Sequence, residues 1–173
     1  TDSRSLIKAI VKSLQLDERT YKPALVHSII SKAKNNLQDP AKFLSAHSGE
    51  FDKIQGLNYE SLYNIYVEYV QSCRLANVMD FDDLLYYTYV LFANKENGVC
   101  RHYASEFKYI LVDEYQDTNR LQQKILSLLF EEMPKKRICV VGDDAQSIYA
   151  FRGAEVNNIL NFCEEFKDIK GQK

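Results

Sequence analysis

The sequence predicts an α/β fold, in which a small parallel sheet with one crossover helix follows a long all-helical segment. Two short apolar runs, residues 109–112 (YILV) and 138–141 (ICVV), predict the strands. Runs of this kind are typical of strands that are buried on both faces. Residues 118–133 have room for one crossover helix, and its predicted apolar face consists of Leu121, Ile125, Leu128 and Leu129. Acidic residues follow both strands, at the edge where open α/β sheets bind ligands.

Composition excludes some functional classes. The chain has 173 residues, of which 46% are hydrophobic, so it can bury a core and is not a disordered chain. Its formal net charge is −2, from 22 basic and 24 acidic residues, so no global basic field attracts nucleic acid and any such binding must be local. No apolar run reaches the roughly 18 residues that span a membrane, so no membrane partner is expected.

The four cysteines do not form a metal-ligand or disulfide pattern. Cys73, Cys100, Cys139 and Cys163 lie far apart, with no CxxC pair. We expect reduced thiols in a cytoplasmic protein, with Cys139 inside a buried strand, although a disulfide or zinc site is the alternative.

The residues before the first strand predict helices throughout. Apolar residues at helical spacing and capping residues predict helices near 5–16, 22–37, 40–44, 59–77 and 84–93, and a short one through Tyr103. In the second helix, Lys32, Lys34, Asn35 and Asn36 are predicted on or near the face opposite the apolar residues. The tyrosines of the 59–77 helix are predicted to pack in the core.

Two strands joined by one crossover are too few for a stable open sheet. The sequence also enters a helix almost at once, with no initiating methionine. We therefore expect a fragment whose remaining strands come from elsewhere in a longer chain.

Polar residues after the first strand suit metal-dependent phosphate chemistry. Asp113 can hold Mg²⁺, which binds few protein carboxylates beside substrate phosphates and keeps several waters. Glu114, on the other side of the strand end, can orient or deprotonate a water molecule. An acidic pair alone is more often a solvated strand end or a helix cap, but Gln116 and Asp117 follow closely and are interpreted as supporting the site.

The segment after the second strand, GDDAQSIYAFRGA (142–154), combines phosphate-binding and stacking groups. Gln146 can donate a hydrogen bond to a phosphate oxygen. Tyr149 and Phe151 alternate, so both rings can face one side, and Arg152 can pair with a phosphate or stack on a base. Such a set suits single-stranded nucleic acid, where each stacked base contributes about 1–3 kcal/mol. Burial of both rings in the core is the alternative.

These segments resemble those of a known family. DEYQDT (113–118) and GDDAQSIYAFRGA (142–154) resemble motifs II and III of the UvrD/Rep-type superfamily 1 DNA helicases. DFDDLL (80–85) resembles the point where the chain of that family re-enters its motor domain, and residues 21–40 resemble its 1B helical insertion. The resemblance implies a partial RecA-like P-loop NTPase motor with an incomplete parallel sheet, formed by residues 80–173 (1A-like). Residues 1–79 would be the all-helical insertion (1B-like).

The resemblance also implies roles for individual residues. Asp113 would hold the Mg²⁺ of Mg-ATP, Glu114 would activate the hydrolytic water, and Gln146 would contact the γ-phosphate. Tyr149, Phe151 and Arg152 would line a track for single-stranded DNA, with Phe151 where the family commonly has tryptophan.

Basic residues of the helical insertion can contact the backbone of a duplex junction. Lys22, Lys32 and Lys34 are the candidates, and a solvated helix face is the alternative interpretation.

Several elements of the family are absent from the sequence. No GxxxxGK[ST] occurs, so the loop that cradles phosphates is missing, as are the later motifs of the second motor domain. We therefore expect an ATP-dependent translocase on single-stranded DNA, moving 3′ to 5′ by family resemblance, as the full-length protein. The 173 residues alone are expected to be inactive.

Three alternatives remain at this stage. Gly142-Asp143-Asp144 is similar to the GDD of template-directed polymerases, although no other polymerase motif accompanies it. The chain could also be a DNA- or protein-binding module without chemistry. Within the family, it could be the motor portion of a helicase–nuclease.

Overall fold

The structure is a computed structural model that describes residues 2–46, 53–54, 56–143, 162 and 166. The chain divides into two compact units, residues 1–84 and residues 85–173.

The first unit is mostly helical, whereas the sequence predicted helices throughout. Its helices begin where a side chain or proline satisfies the first turn: Pro23 opens the second helix, and Asp39 and Asn58 cap the third and fourth. A two-residue antiparallel strand pair, which the sequence did not predict, precedes the fourth helix. The elements are α1 (Asp2–Ser13), α2 (Pro23–Asn35), α3 (Pro40–Ser45), β1 (Lys53–Ile54), β2 (Leu57–Asn58) and α4 (Tyr59–Leu75).

One apolar core holds these helices together. The tyrosine stripe of α4 belongs to it, as predicted, since Tyr66 and Tyr69 are buried. The core also contains Ile7, Ile10, Val11, Tyr21, Val26, Ile29, Ile30, Ala33, Phe43, Leu57, Leu62, Ile65 and Cys73.

The predicted solvent-facing position of Lys34 is wrong. Its side chain is only 3% exposed, and its Nζ lies 2.7 Å from Asp80 Oδ2 and 2.7 Å from Asp83 Oδ1. The neighbouring Asn35 is half-buried and donates to Asp82 Oδ1 at 2.9 Å. A helical-wheel projection of α2 alone could not predict that Lys34 is buried, because its partners lie more than forty residues later in the sequence. Lys34 is therefore not available to contact DNA.

The division between the units falls within α5 (Phe81–Ala93). Asp80 and Asp83 open this helix reciprocally: the Asp83 amide donates to Asp80 Oδ1 at 2.7 Å, and the Asp80 amide donates to Asp83 Oδ2 at 3.2 Å. The helix predicted near residues 84–93 is therefore present and begins three residues earlier, at Phe81.

The second unit contains the predicted β-α-β arrangement. Asn119 and Gln122 form a reciprocal capping box at the start of the crossover helix. Of the predicted apolar face, Leu121 is buried and Leu129 packs against the core of this unit, whereas Leu126 and Phe130 are found there instead of Ile125 and Leu128. The elements are α6 (Val99–Glu106), β3 (Ile110–Val112), α7 (Arg120–Glu132) and β4 (Ile138–Val140).

The two strands pair in parallel, which confirms the α/β fold class. Ile110 lies opposite Ile138, Leu111 opposite Cys139 and Val112 opposite Val140.

The prediction that both faces of this pair are buried is wrong. One face, with Ile110, Val112, Ile138 and Val140, packs in the core of the second unit. On the other face Leu111 is 76% exposed, and Cys139 is exposed rather than buried. Successive side chains of a strand point to opposite faces of the sheet. When only one face is covered, every second residue of the strand is therefore exposed to solvent.

The described helices include none that is both long enough and apolar enough to cross a membrane. In the same part of the chain Cys73, Cys100 and Cys139 are free thiols, whereas Cys163 lies outside the described residues.

Candidate active site

The carboxyl ends of β3 and β4 are bound to each other and to the segments that follow them. The Val141 amide donates to Val112 O at 2.8 Å, and the Tyr115 amide donates back to Val141 O at 3.0 Å. The residues just beyond β3, including Asp113 and Glu114, therefore lie beside those just beyond β4. This is the edge of the sheet at which the sequence placed the site.

Asp113 and Glu114 are both exposed at this edge. The chain turns sharply between them and the next residues, because Glu114 has the left-handed conformation (φ 50°, ψ 43°). The Glu114 amide donates to Asp113 Oδ1 at 2.9 Å. Non-glycine residues rarely adopt this conformation, and here it turns the two consecutive carboxylates out of the strand direction.

Gln116 bridges the two strand ends. It lies in a turn of 3-10 helix over Tyr115–Asp117 and is only 1% exposed. Its Nε2 donates to Glu114 Oε2 at 2.6 Å, and its Oε1 accepts from the Asp143 amide at 3.1 Å. One buried side-chain amide thus connects the carboxylate after β3 to the backbone after β4. The sequence marked Gln116 as supporting the site, but the bridge depends on the pairing of the strands.

Tyr115 anchors the same turn in the core of the second unit. Its side chain is fully buried and meets the Phe162 ring edge-on, with centroids 5.7 Å apart. Its carbonyl accepts from Thr118 Oγ1 at 2.6 Å. The packing of Tyr115 in the core therefore holds the turn that carries the carboxylates in place, although the carboxylates themselves are exposed to solvent.

Asp117 is half-buried and closes the turn. Its amide donates to Glu114 O at 2.9 Å. Among the described residues its buried Oδ1 has no hydrogen-bond partner. Because an unpaired buried oxygen costs free energy, this atom is suited to accept a further donor at the site.

The exposed carboxylates fit a hydrated magnesium ion. Carboxylate oxygen is the kind of ligand that Mg²⁺ prefers, and one or two protein ligands are usual where a nucleotide supplies the others. No group of three or more His, Cys, Asp or Glu suited to a metal ion occurs in the part of the chain that is described. Asp113 and Glu114 are therefore carboxylates of the kind that can serve as the protein ligands of such an ion.

Four of the predicted site residues lie outside the described residues. They are Gln146, Tyr149, Phe151 and Arg152. Their assignment stays a prediction, whereas the segment that carries them begins at Gly142 and Asp143, beside Glu114 and Gln116.

Comparisons with known proteins agree with the motifs. A family model described as the UvrD/REP helicase N-terminal domain matches residues 1–167. A probable DNA helicase II homolog of Rickettsia conorii is 41% identical over 169 residues, which cover 95% of this chain and 24% of that protein. ATP-dependent DNA helicase PcrA of Bacillus subtilis is 38% identical, with 95% and 21% covered. UvrD1 of Mycobacterium tuberculosis is 37% identical, with 98% and 22% covered. The chain thus spans less than a quarter of the length of these relatives.

Proposed function

The chain belongs to the UvrD/REP helicase family, and we propose on this basis that it forms part of the motor of an ATP-dependent DNA helicase. The observation that carries the proposal is the meeting of the two strand ends, with exposed Asp113 and Glu114 beside the start of the 142–154 segment. In a motor protein, the residues that act on the nucleotide must be physically connected to the residues that contact DNA. Here the two motifs that would supply them are hydrogen-bonded neighbours.

We propose that Asp113 holds the Mg²⁺ of Mg-ATP and that Glu114 acts on the attacking water. When bound, the ion neutralises charge on the phosphate oxygens. Glu114 follows directly, and its exposed carboxylate can orient a water molecule and take its proton. Gln146 is proposed to contact the γ-phosphate, by resemblance to motif III.

The proposed DNA track consists of Tyr149, Phe151 and Arg152. Stacking on the two rings and pairing of the guanidinium with phosphate bind single strands without reading their sequence. We propose translocation 3′ to 5′ by analogy with the family. At a duplex junction, Lys22 and Lys32 of the first unit remain candidates for backbone contacts, since both are exposed.

The two sequence domains keep their proposed roles. Residues 80–173 would be the RecA-like portion, and residues 1–79 the helical insertion. The absence of a GxxxxGK[ST] loop from the 173 residues implies that the phosphates need a further segment of the protein.

The test is steady-state ATPase of the full-length protein, with and without single-stranded DNA, for the wild type and Glu114→Gln. Removal of a general base should lower kcat by about 10²–10⁴-fold while Mg-ATP binding is retained. Glu106→Gln is the matched control, because Glu106 is exposed at the end of α6, outside the site. This control should turn over ATP like the wild type.

The outcomes separate the competing functions. DNA-stimulated turnover that Glu114→Gln abolishes supports the motor. Turnover that ignores DNA leaves the ATPase standing and contradicts the track at Tyr149, Phe151 and Arg152. No turnover under any condition contradicts the motor and favours a binding module. A nuclease assay on the same protein tests the helicase–nuclease alternative.

A further inference from the structure

We propose that Gln116 is a positioning residue that sets the Glu114 carboxylate relative to the segment after β4, and so couples that segment to hydrolysis. The inference rests on the proposed ATPase function and extends it to a buried amide. Its basis is the pair of hydrogen bonds from one side chain, 2.6 Å to Glu114 Oε2 and 3.1 Å from the Asp143 amide.

The partners of Gln116 fix the orientation of its amide. A carboxylate only accepts hydrogen bonds, so the NH₂ group must face Glu114, and a backbone N–H only donates, so the carbonyl must face Asp143. The reversed amide would place two acceptors together at one end and two donors at the other. The side chain is 1% exposed, so water has little access to the amide itself. Gln116 therefore has one satisfied arrangement.

Glu114 requires such a support. Its backbone conformation is left-handed and its side chain is exposed, so local packing does little to select a rotamer. Gln116 binds one carboxylate oxygen, Oε2, and leaves Oε1 for a water molecule. Positioning of a base within a few tenths of an ångström is worth large factors in rate, and a 1 Å displacement can cost about 10²-fold.

The other end of the amide reaches the segment that would carry Gln146 and the aromatic track. Asp143 belongs to this segment, residues 142–154, and is the last of its residues that the structure describes. A displacement of the Asp143 backbone would pull on the Gln116 carbonyl, and the same rigid amide would turn its NH₂ group away from Glu114. Hydrolysis would then depend on the position of the 142–154 segment.

Two nearly isosteric substitutions in the full-length protein test this role. Gln116→Met keeps the volume and removes both hydrogen bonds, and Gln116→Glu keeps the acceptor but opposes one carboxylate to another. Gln123→Met is the matched control, because Gln123 is also buried in the second unit, within α7. We expect kcat with DNA to fall about 10- to 100-fold in both Gln116 variants, with the KM for ATP nearly unchanged. The control should keep the wild-type kcat.

A second measurement follows the bridge itself. Hydrogen exchange, measured by mass spectrometry on the peptide containing Asp143, should be faster in Gln116→Met than in the wild type and unchanged in Gln123→Met. Equal exchange in Gln116→Met and wild type would overturn the bridge. Faster exchange with unchanged kcat would overturn the positioning role. A variant in which only the KM for ATP rises, while kcat stays at the wild-type value, would also overturn it. A wild-type protein without ATPase activity would refute the proposed function, and the positioning role with it, in an assay that needs no variant.

Discussion

At the scale of single residues, Glu114 combines a proposed catalytic carboxylate with a costly backbone conformation. Its φ of 50° places it in the left-handed region, which costs a non-glycine residue about 1–2 kcal/mol. The cost is offset by the turn around it, where the Asp117 amide donates to Glu114 O and the Tyr115 amide donates to Val141 O. Strain of this kind is common where a side chain must be held out of a strand for function.

A pair of substitutions measures that strain. Glu114→Gly and Glu114→Ala both remove the carboxylate, but only glycine adopts a positive φ without a Cβ clash. We expect the glycine variant to be more stable than the alanine variant by about 1 kcal/mol in urea unfolding of the 173-residue chain. An alanine variant as stable as the glycine variant would show that the turn carries no such strain.

Asp80 and Asp83 share Lys34 but titrate in opposite directions. Burial raises the pKa of Asp80, but the hydrogen bond and charge of Lys34, together with the Tyr69 hydroxyl, outweigh it and hold that pKa below 3.8. Burial raises the pKa of Asp83, with a further contribution from the charge of Asp80, and Lys34 only partly opposes them. Lys34 thus favours the ionised form of Asp80 more strongly than that of Asp83.

The raised pKa of Asp83 predicts a stability that depends on pH. The folded chain binds this proton more tightly than the unfolded chain, so its contribution is fully present below pH 3.8 and is lost as pH rises through the folded pKa. Asp80 acts oppositely, and its contribution is lost only as pH falls below 3.8. The Asp83→Asn variant has no titratable carboxyl group at this position. Relative to this variant, the wild type should therefore gain stability between about pH 7 and about pH 4, by about 1.4 kcal/mol per unit of pKa difference.

Urea unfolding of both chains at the two pH values checks this prediction. The quantity to compare is the difference in unfolding free energy between wild type and Asp83→Asn, which cancels the titration of groups that both chains share. A difference that is equal at both pH values would contradict the raised pKa.

The residue types of the site could be predicted from sequence, but not their contacts. Asp113 and Glu114 were assigned because acidic residues follow a strand, and the structure leaves both exposed there. The link from Gln116 to Asp143 could not be derived, since it spans 27 positions and exists only because β3 pairs with β4 in one register. The left-handed φ of Glu114 could not be predicted either, because the position holds neither glycine nor asparagine, the residues that usually indicate such a conformation.

At the scale of elements, a buried ionic cluster joins α2 to the start of α5 within the first unit. Lys34, near the end of α2, contacts both Asp80 and Asp83, and Tyr69 of α4 donates to Asp80 Oδ2 at 2.7 Å. The Lys34 ammonium also lies 5.0 Å from the centre of the Tyr69 ring. Three elements therefore share one cluster, which fixes where α5 begins relative to the other helices of this unit.

Removal of the lysine should destabilise the first unit strongly. Lys34→Met keeps the aliphatic stem but leaves two buried carboxylates without their cation, and breaking a buried pair in this way costs about 3–5 kcal/mol. Lys32→Met, an exposed position on the same helix, should change stability by no more than about 0.5 kcal/mol. Urea unfolding of the two variants gives the comparison, and equal effects would contradict a structural role for the Lys34 cluster.

The sheet shows why element types were easier to predict than their environment. Apolar runs gave both strands and their parallel pairing to within one residue at each end. The same runs suggested burial on both faces, yet Leu111 is exposed while Ile110 is buried. A run of apolar residues shows which side chains can be buried. It does not show whether neighbouring elements are present to cover them.

At the scale of the whole molecule, motifs and periodicity predicted the α/β class and two regions of different character. The predicted boundary at residues 79/80 marks where the motif DFDDLL begins, whereas the compact units divide after Leu84, inside α5. A helix that is capped in one unit and continues into the next has no break in its sequence at which a boundary could be predicted. The functional division at 79/80 therefore stays a prediction.

The 173 residues alone should not hydrolyse ATP, although the full-length protein is proposed to do so. Phosphoryl transfer depends almost entirely on positioning and charge stabilisation. This chain has the carboxylates that are proposed to act on the ion and the water, but it has no GxxxxGK[ST] loop for the phosphates. We expect purified chain to show no Mg-ATP turnover above buffer, with or without single-stranded DNA, in a phosphate-release assay. The Glu114→Gln form of the same chain identifies contaminating ATPase, because contaminant turnover would persist in it. Turnover by the wild-type chain that disappears in Glu114→Gln would show that the phosphate loop is dispensable and would overturn this prediction.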